Sequence, residues 1–275
     1  MFDSTIYKAL YTPAVIRRAL ARKILPKITK SYGLLTKLGA VDYPHYGYCL
    51  FQAATLARRL GQKKISVLEF GVAGGNGLRA LEYHAENITR MVGVEIEVYG
   101  FDTGKGLPRP TDYRDLPYHW KEGFFEMDFK LLETKLTSSK LVLGDVKNTV
   151  KTFHDDYQAA PVGAILFDLD YYSSTIDAFE ILKTPPQARL PRIYCYFDDI
   201  IGEDIELYND YIGVRLAINE FNTENNDKKL DKMHHLLARR VLEPWYHQIY
   251  SFHDFGHPDY SNFISEEDQQ LQFKS

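Results

Sequence analysis

Carboxylates recur in this sequence directly behind short apolar runs. Asp168 and Asp170 form Asp-Leu-Asp after Val162–Phe167, and Asp198 with Asp199 follows Arg192–Phe197. Asp145 comes after Lys140–Leu143 and a glycine, and Asp102 closes the run Val94–Phe101. One aspartate in such a place is ordinary turn chemistry. Six converging on one rim would repel one another unless something compensated them. A cation does so, and an oxygen-rich cluster without thiol or imidazole suits a hard ion, Mg²⁺ or else Ca²⁺ or Mn²⁺. The alternative is that Asp-Leu-Asp and Asp-Asp serve only as helix caps and turns.

A second constellation lies at 65–77, ISVLEFGVAGGNG, where a β-branched run enters a glycine-rich turn ahead of a helical pattern from Leu78. A strand closed by glycines and followed by a helix can bring a ligand to a helix N-terminus. Gly71, Gly74, Gly75 and Gly77 are spaced G-x-x-G-G-x-G, which is not the dinucleotide fingerprint G-x-G-x-x-G. Glu69, two positions before the first glycine, is placed to face a cation or a ligand amine. Asp102, at the end of the second expected strand, either accepts hydrogen bonds from ribose hydroxyls or is a turn aspartate before Gly104.

These residues need elements to hold them. The apolar runs predict strands beginning at Ile65 and over Val94–Phe101, Lys140–Leu143, Val162–Phe167 and Arg192–Phe197, with Leu236–Val241 and His247–Phe252 as a terminal hairpin. Helices are expected over Pro13–Lys23, over Tyr46–Leu60 with Gly61 as its C-terminal cap, behind Leu78, and over Tyr211–Phe221. Ser174 and Asp177 read as a capping box for a helix behind Asp170. The strand–turn–helix repetition implies an α/β fold with a doubly wound, mostly parallel seven-stranded sheet and an N-terminal helical extension, in one domain over 1–275. Within it, 1–60 would be the N-terminal helices and 65–253 the core. The segment 103–129 is too long and aromatic for a plain connection and reads as a lid loop. Its Tyr113, Tyr118, His119, Trp120 and Phe124 either wall a pocket or pack the loop down. The polar tail from Ser265 is expected to fray.

Composition narrows the function classes. Of 275 residues 45% are hydrophobic and 25% charged, which supports a sizeable core. A net charge of -4 argues against a protein that coats nucleic acid. Cys49 and Cys195 fit no metal spacing, no run is long enough to span a bilayer, and the first ten residues lack the layout of a signal peptide, so a cytoplasmic location is expected. Residues 1–40 carry eight lysines or arginines against Asp3 alone. A basic amphipathic helix there could lie on a membrane, meet a phosphorylated substrate, cover the core, or join subunits in a homo-oligomer.

With these residues in view, the chain resembles the class I S-adenosylmethionine-dependent methyltransferases, and within them the macrocin O-methyltransferase (TylF-type) family acting on sugar hydroxyls. The matching segments are LEFGVAGGNG (68–77), YGFDTGKGLP (99–108), GDVKNT (144–149), DLDYY (168–172) and FDD (197–199). Thr103-Gly104-Lys105 stands where that family runs on into an F-E-G-L-P type segment. The resemblance implies that Glu69, Gly71 and Gly75 hold the methionine end of S-adenosylmethionine, with Val72, Ala73 and Asp168 counted among the cofactor contacts. Asp102 would be the ribose acid and Asp145 the residue beside the adenine. Asp168, Asp198 and Asp199 would ligate Mg²⁺, and Asp170 would be the general base. The acceptor would be a hydroxyl on a sugar, a glycosylated natural product or a glycan. Three alternatives remain: a metal-dependent glycosyltransferase using Asp168-Leu169-Asp170 as its D-x-D motif, a metal-independent methyltransferase, and a non-catalytic binding protein on the same scaffold.

Overall fold

The computed structural model describes residues 13–37, 39–239 and 243–266. The chain opens with helices α1 (Pro13–Ile28), α2 (Tyr32–Lys37) and α3 (Pro44–Arg59). Strand β1 (Lys64–Phe70) leads to α4 (Asn76–Val92), and β2 (Glu95–Asp102) to a long segment that ends in α5 (Phe129–Glu133). Then come β3 (Lys140–Leu143), α6 (Val146–Tyr157), β4 (Val162–Phe167), α7 (Tyr172–Ala178), β5 (Arg189–Phe197) and α8 (Gly213–Glu224). The chain closes with β6 (Lys228–Lys232), α9 (His234–Leu237) and β7 (Ile249–Asp254).

The strands form one seven-stranded sheet in the order β3-β2-β1-β4-β5-β7-β6. The first five are parallel, and β7 joins β5 and β6 antiparallel. This is the expected doubly wound, mostly parallel sheet. Strand order reverses between β1 and β4, and in such sheets the ligand crevice lies beyond the carboxyl ends at that point. β4 is buried along its whole length, as a strand covered on both faces must be. On one face Ile65, Val67, Ala164 and Leu166 pack under α3 and α4 through Leu50, Ala53, Leu78 and Leu81. On the other, Leu68, Phe70, Ile165 and Phe167 pack against Phe153 of α6, Ala178 of α7 and Phe221 of α8.

The period of two along each strand then fixes the site. Phe70, Phe167 and Phe197 end β1, β4 and β5, and Phe101 is the last residue but one of β2; they stand in register, Phe70 opposite both Phe101 and Phe167, and Phe167 opposite Phe197. Their rings form a row with centroids 4.6, 5.5 and 4.7 Å apart. All four turn to the same face, so the next residue of each strand (Gly71, Asp102, Asp168, Asp198) turns away from it.

Two sequence expectations are corrected. The strand expected over Leu236–Val241 is not formed: Leu236 lies in α9, residues 240–242 fall outside the described residues, and the partner of β7 is Lys228–Lys232. Its sequence, KKLDK, carries charge at every position but the buried Leu230, as befits a sheet edge. The capping box of Ser174 and Asp177 is not made either. Helix α7 starts one turn earlier, behind Tyr171, with no side-chain cap. Asp115, from the long segment after β2, reaches across and accepts from the Ser173 N–H at 2.8 Å. The helix expected over Pro13–Lys23 runs on to Ile28, and the polar tail lies mostly outside the described residues.

Candidate active site

A cavity of about 720 Å³ opens over the carboxyl ends of β1, β2, β4 and β5. Asp102, Asp145, Asp168, Asp170, Asp198 and Asp199 all line it, so the six aspartates singled out in the sequence come together at one site. Asp168, Asp198 and Asp199 each offer an oxygen within 4.8 Å of the other two. Burial raises the Asp168 and Asp199 carboxyls well above their ordinary range, and the charges of the neighbouring aspartates add to it. Three crowded oxygen donors, of which Asp168 and Asp199 have raised proton affinity, are a donor set that a hard divalent cation would satisfy.

Asp170 stands apart from that trio. Its backbone takes the left-handed conformation, φ 58°, which an aspartate tolerates better than most residues. The turn is held by the Asp170 N–H, which donates to Asp199 Oδ2 at 2.8 Å. The side chain is buried, and burial followed by the Asp198 charge pushes its carboxyl up to about 7.

Asp198 is held from two sides. Tyr196 lies two residues earlier and so on the same face of β5, and its hydroxyl donates to Asp198 Oδ1. Gln248 donates from Nε2 to the Asp198 carbonyl at 2.8 Å. His45 of α3 lies against the Tyr196 ring, centroids 4.4 Å apart. None of these three was marked in the sequence. The alternation Tyr-x-Asp at the end of a strand was the available signal for Tyr196; Gln248 and His45 arrive from distant elements and left none.

Glu69 sits on the β1 face turned to α3, almost wholly buried, where Tyr46 donates to its Oε1 at 2.9 Å. Its Oε2 is buried with no partner among the described residues. Burial, with a further push from Asp102, raises this carboxyl to about 8, against the opposing bond from Tyr46. Gly77 lies directly beside it, and a Cβ there would come within 2.0 Å of Glu69 Oε1. Helix α4 begins at this spot behind Gly75, with no side-chain cap on its N-terminus. An orphaned carboxylate oxygen beside the open N–H groups of a 17-residue helix is complementary to a ligand with an ammonium and a carboxylate on one carbon.

Asp102 braces the glycine turn. Its Oδ2 accepts from the N–H groups of Val72 and Ala73 at 2.9 and 3.0 Å, and Oδ1 from Gly104 at 2.6 Å. Val72 and Ala73 thus line the cavity with their N–H groups already bonded, and Asp102 keeps acceptor capacity on Oδ1 alone. Gly71 is required by contact as well as by its φ of 88°: a Cβ there would lie 1.7 Å from the Asp168 carbonyl oxygen. Asp145 caps α6, its Oδ1 accepting from Lys147 N–H at 2.9 Å.

The segment after β2 closes one side. Trp120 and Phe125 line the cavity, whereas Tyr113, Tyr118 and Phe124 are exposed outside it. His119 pairs with Glu206 at 3.5 Å, and the Tyr118 hydroxyl donates to the Glu206 carbonyl at 2.7 Å. These contacts join the segment to the loop behind β5, which adds Tyr208 to the wall. Asp115 anchors the same segment below. Wholly buried, it accepts from Thr111 N and Oγ1 at 2.8 and 2.6 Å and from Ser173 N and Oγ at 2.8 and 2.9 Å.

The strand order, the crevice at the β1–β4 reversal and the glycine turn define the fold of a class I S-adenosylmethionine-dependent methyltransferase. Among solved structures, the calicheamicin methyltransferase CalS11 is similar with a TM-score of 0.52, at 18% identity over 86% of this chain and 92% of that one. The O-methyltransferase NovP aligns with a TM-score of 0.49, at 13% identity over 75% and 78% of the two chains. No protein-family model and no curated protein sequence matches the chain.

Proposed function

We propose that this protein transfers a methyl group from S-adenosylmethionine to a hydroxyl of a sugar, a glycosylated natural product or a glycan, assisted by Mg²⁺. The observation that carries the reading is Glu69 Oε2, buried without a partner beside the uncapped start of α4. Glu69 would take the ammonium of the cofactor's methionine end, and the N–H groups of Asn76 and Gly77 at the start of α4 its carboxylate. The remaining lone pair of Asp102 Oδ1 serves the ribose, and Asp145 stands toward the adenine side. When bound, S-adenosylmethionine supplies an electrophilic methyl on a sulfonium whose thioether leaves without needing a proton. Asp168, Asp198 and Asp199 would hold Mg²⁺, whose Lewis acidity would orient neighbouring hydroxyls and make them more acidic.

The protein's own tasks are then alignment and removal of one proton. Asp170 accepts the proton of the acceptor hydroxyl, and its raised proton affinity suits exchange near neutral pH. Trp120, Phe125 and Tyr208 wall the acceptor side and keep water away from it. Sugar acceptors, carrying adjacent hydroxyls, match a site where a cation-holding trio of aspartates and a base stand side by side. The name of CalS11, a calicheamicin methyltransferase, is consistent with such an acceptor.

Calorimetric titration with S-adenosylhomocysteine, with and without Mg²⁺, tests this reading against a nucleoside diphosphate sugar. Tight binding of S-adenosylhomocysteine, with a separate Mg²⁺ isotherm lost in Asp198→Asn, is the expected result. Binding of the nucleotide sugar alone would make Asp168-Leu169-Asp170 a glycosyltransferase motif.

A further inference from the structure

Helix α1 presents apolar residues in two directions. Ala21 and Leu25 pack inward against Leu35, Ala40 and Val41. Leu20, Ile24 and Ile28, spaced by four, form a second stripe that is 55%, 49% and 73% exposed. Leu34 of α2 is exposed as well, and exposed Met91 of α4 lies against its neighbour Gly33. Lys23 and Lys27 follow Leu20 and Ile24 by three residues, so they flank the stripe, and Lys30 continues the row beyond the helix end. All three lysines are exposed, and no salt bridge is formed by any of them among the described residues.

A solvated helix would not turn three large aliphatic residues to water in register. We infer that this face of α1 docks on an anionic lipid surface, the aliphatic stripe entering the headgroup boundary and the lysines meeting the lipid phosphates. Charge complementarity decides the occupant. Residues 1–40 hold eight basic residues and one acidic, in a chain whose net charge is -4. A twofold contact between copies would set this cationic helix against itself. Among residues 19–28 of α1, whose side chains are described, Arg22 engages an acid, Asp42 at 3.3 Å, while also donating to the Val41 carbonyl at 3.0 Å. That contact ties α1 to the segment whose next residue, Tyr43, walls the cavity. The inference does not depend on the methyl transfer.

The full-length protein is tested by co-sedimentation with vesicles of phosphatidylcholine mixed with phosphatidylserine, against pure phosphatidylcholine. Binding to the mixed vesicles, weakened by salt, is the expected result. Both Lys23→Glu/Lys27→Glu and Leu20→Ser/Ile24→Ser/Ile28→Ser should lower it by at least about tenfold, with far-UV dichroism unchanged. Absence of binding, or binding untouched by both variants, overturns the inference. So does a wild-type dimer that the serine variant makes monomeric without any vesicle binding.

Discussion

At the scale of single residues, the site is a set of carboxylates held against their own charge. Glu69 shows the consequence with the sign worked out. Its folded proton affinity is raised to about 8 from an ordinary value of 4.5, so the empty protein holds a proton that the unfolded chain releases. Stability from this group is complete below the unfolded value and is lost as pH rises through about 8. Glu69→Gln should flatten the fall in melting temperature between those limits, and should weaken S-adenosylhomocysteine binding at neutral pH. A melting series with both proteins checks the first, and calorimetry the second. Asp170→Asn should leave S-adenosylhomocysteine binding intact while turnover falls by about 10²–10⁴-fold; unchanged turnover would remove Asp170 as the base.

Elements decide whether those residues meet. The ring row of Phe101, Phe70, Phe167 and Phe197 lies one position before Asp102, Gly71, Asp168 and Asp198, so packing on one face sets the level of the acids on the other. Phe167→Ala leaves a hole between two stacked partners and an edge contact from Phe179, and should cost about 3–5 kcal/mol in urea unfolding. Asp115→Ala would free four donors and release the segment after β2 from α7. Faster proteolytic cleavage within residues 103–128 is the expected readout, with a loss of roughly 3 kcal/mol or more as several buried donors lose their partner. Much of this level was legible beforehand. Strands β3 and β4 were read to the residue, because each is an apolar run stopped by a turn residue. The repeated Phe before Asp or Gly was in plain sight, but its meaning needs the register, which no single strand contains. β6 was missed because a charged edge strand lacks the apolar signal that Leu236–Val241 shows. The α7 start was misread because its donor is satisfied by Asp115, far away in sequence.

For the molecule as a whole, burial of Asp168, Asp170 and Asp199 in one cavity makes the metal-free protein favour protons there. Mg²⁺ binding at Asp168, Asp198 and Asp199, two of which carry these raised carboxyls, is therefore expected to release protons and to strengthen as pH rises. Thermal melts with and without Mg²⁺ should show a larger stabilisation at pH 8 than at pH 5, reversed by chelator. Equal stabilisation at both would place the cation elsewhere. The rim was legible in the sequence because every acid follows a strand. The brace role of Asp102 was half legible, since a turn aspartate and a ribose acid share one position, and only the bonds to Val72, Ala73 and Gly104 distinguish the work it does in the empty site.

The row of four phenylalanines also acts as a common datum, like the bed on which the parts of an instrument are levelled. Each loop springs from a strand end whose height is set by aromatic packing on the far side of the sheet, not by the loop. Segments such as 103–128 can thus be exchanged for others of different length and chemistry, with Gly104 and Asp115 kept for their bonds to Asp102 and Ser173, while the carboxylates stay in position. A chimaera carrying a foreign segment there should keep its affinity for S-adenosylhomocysteine and change only the acceptor it selects.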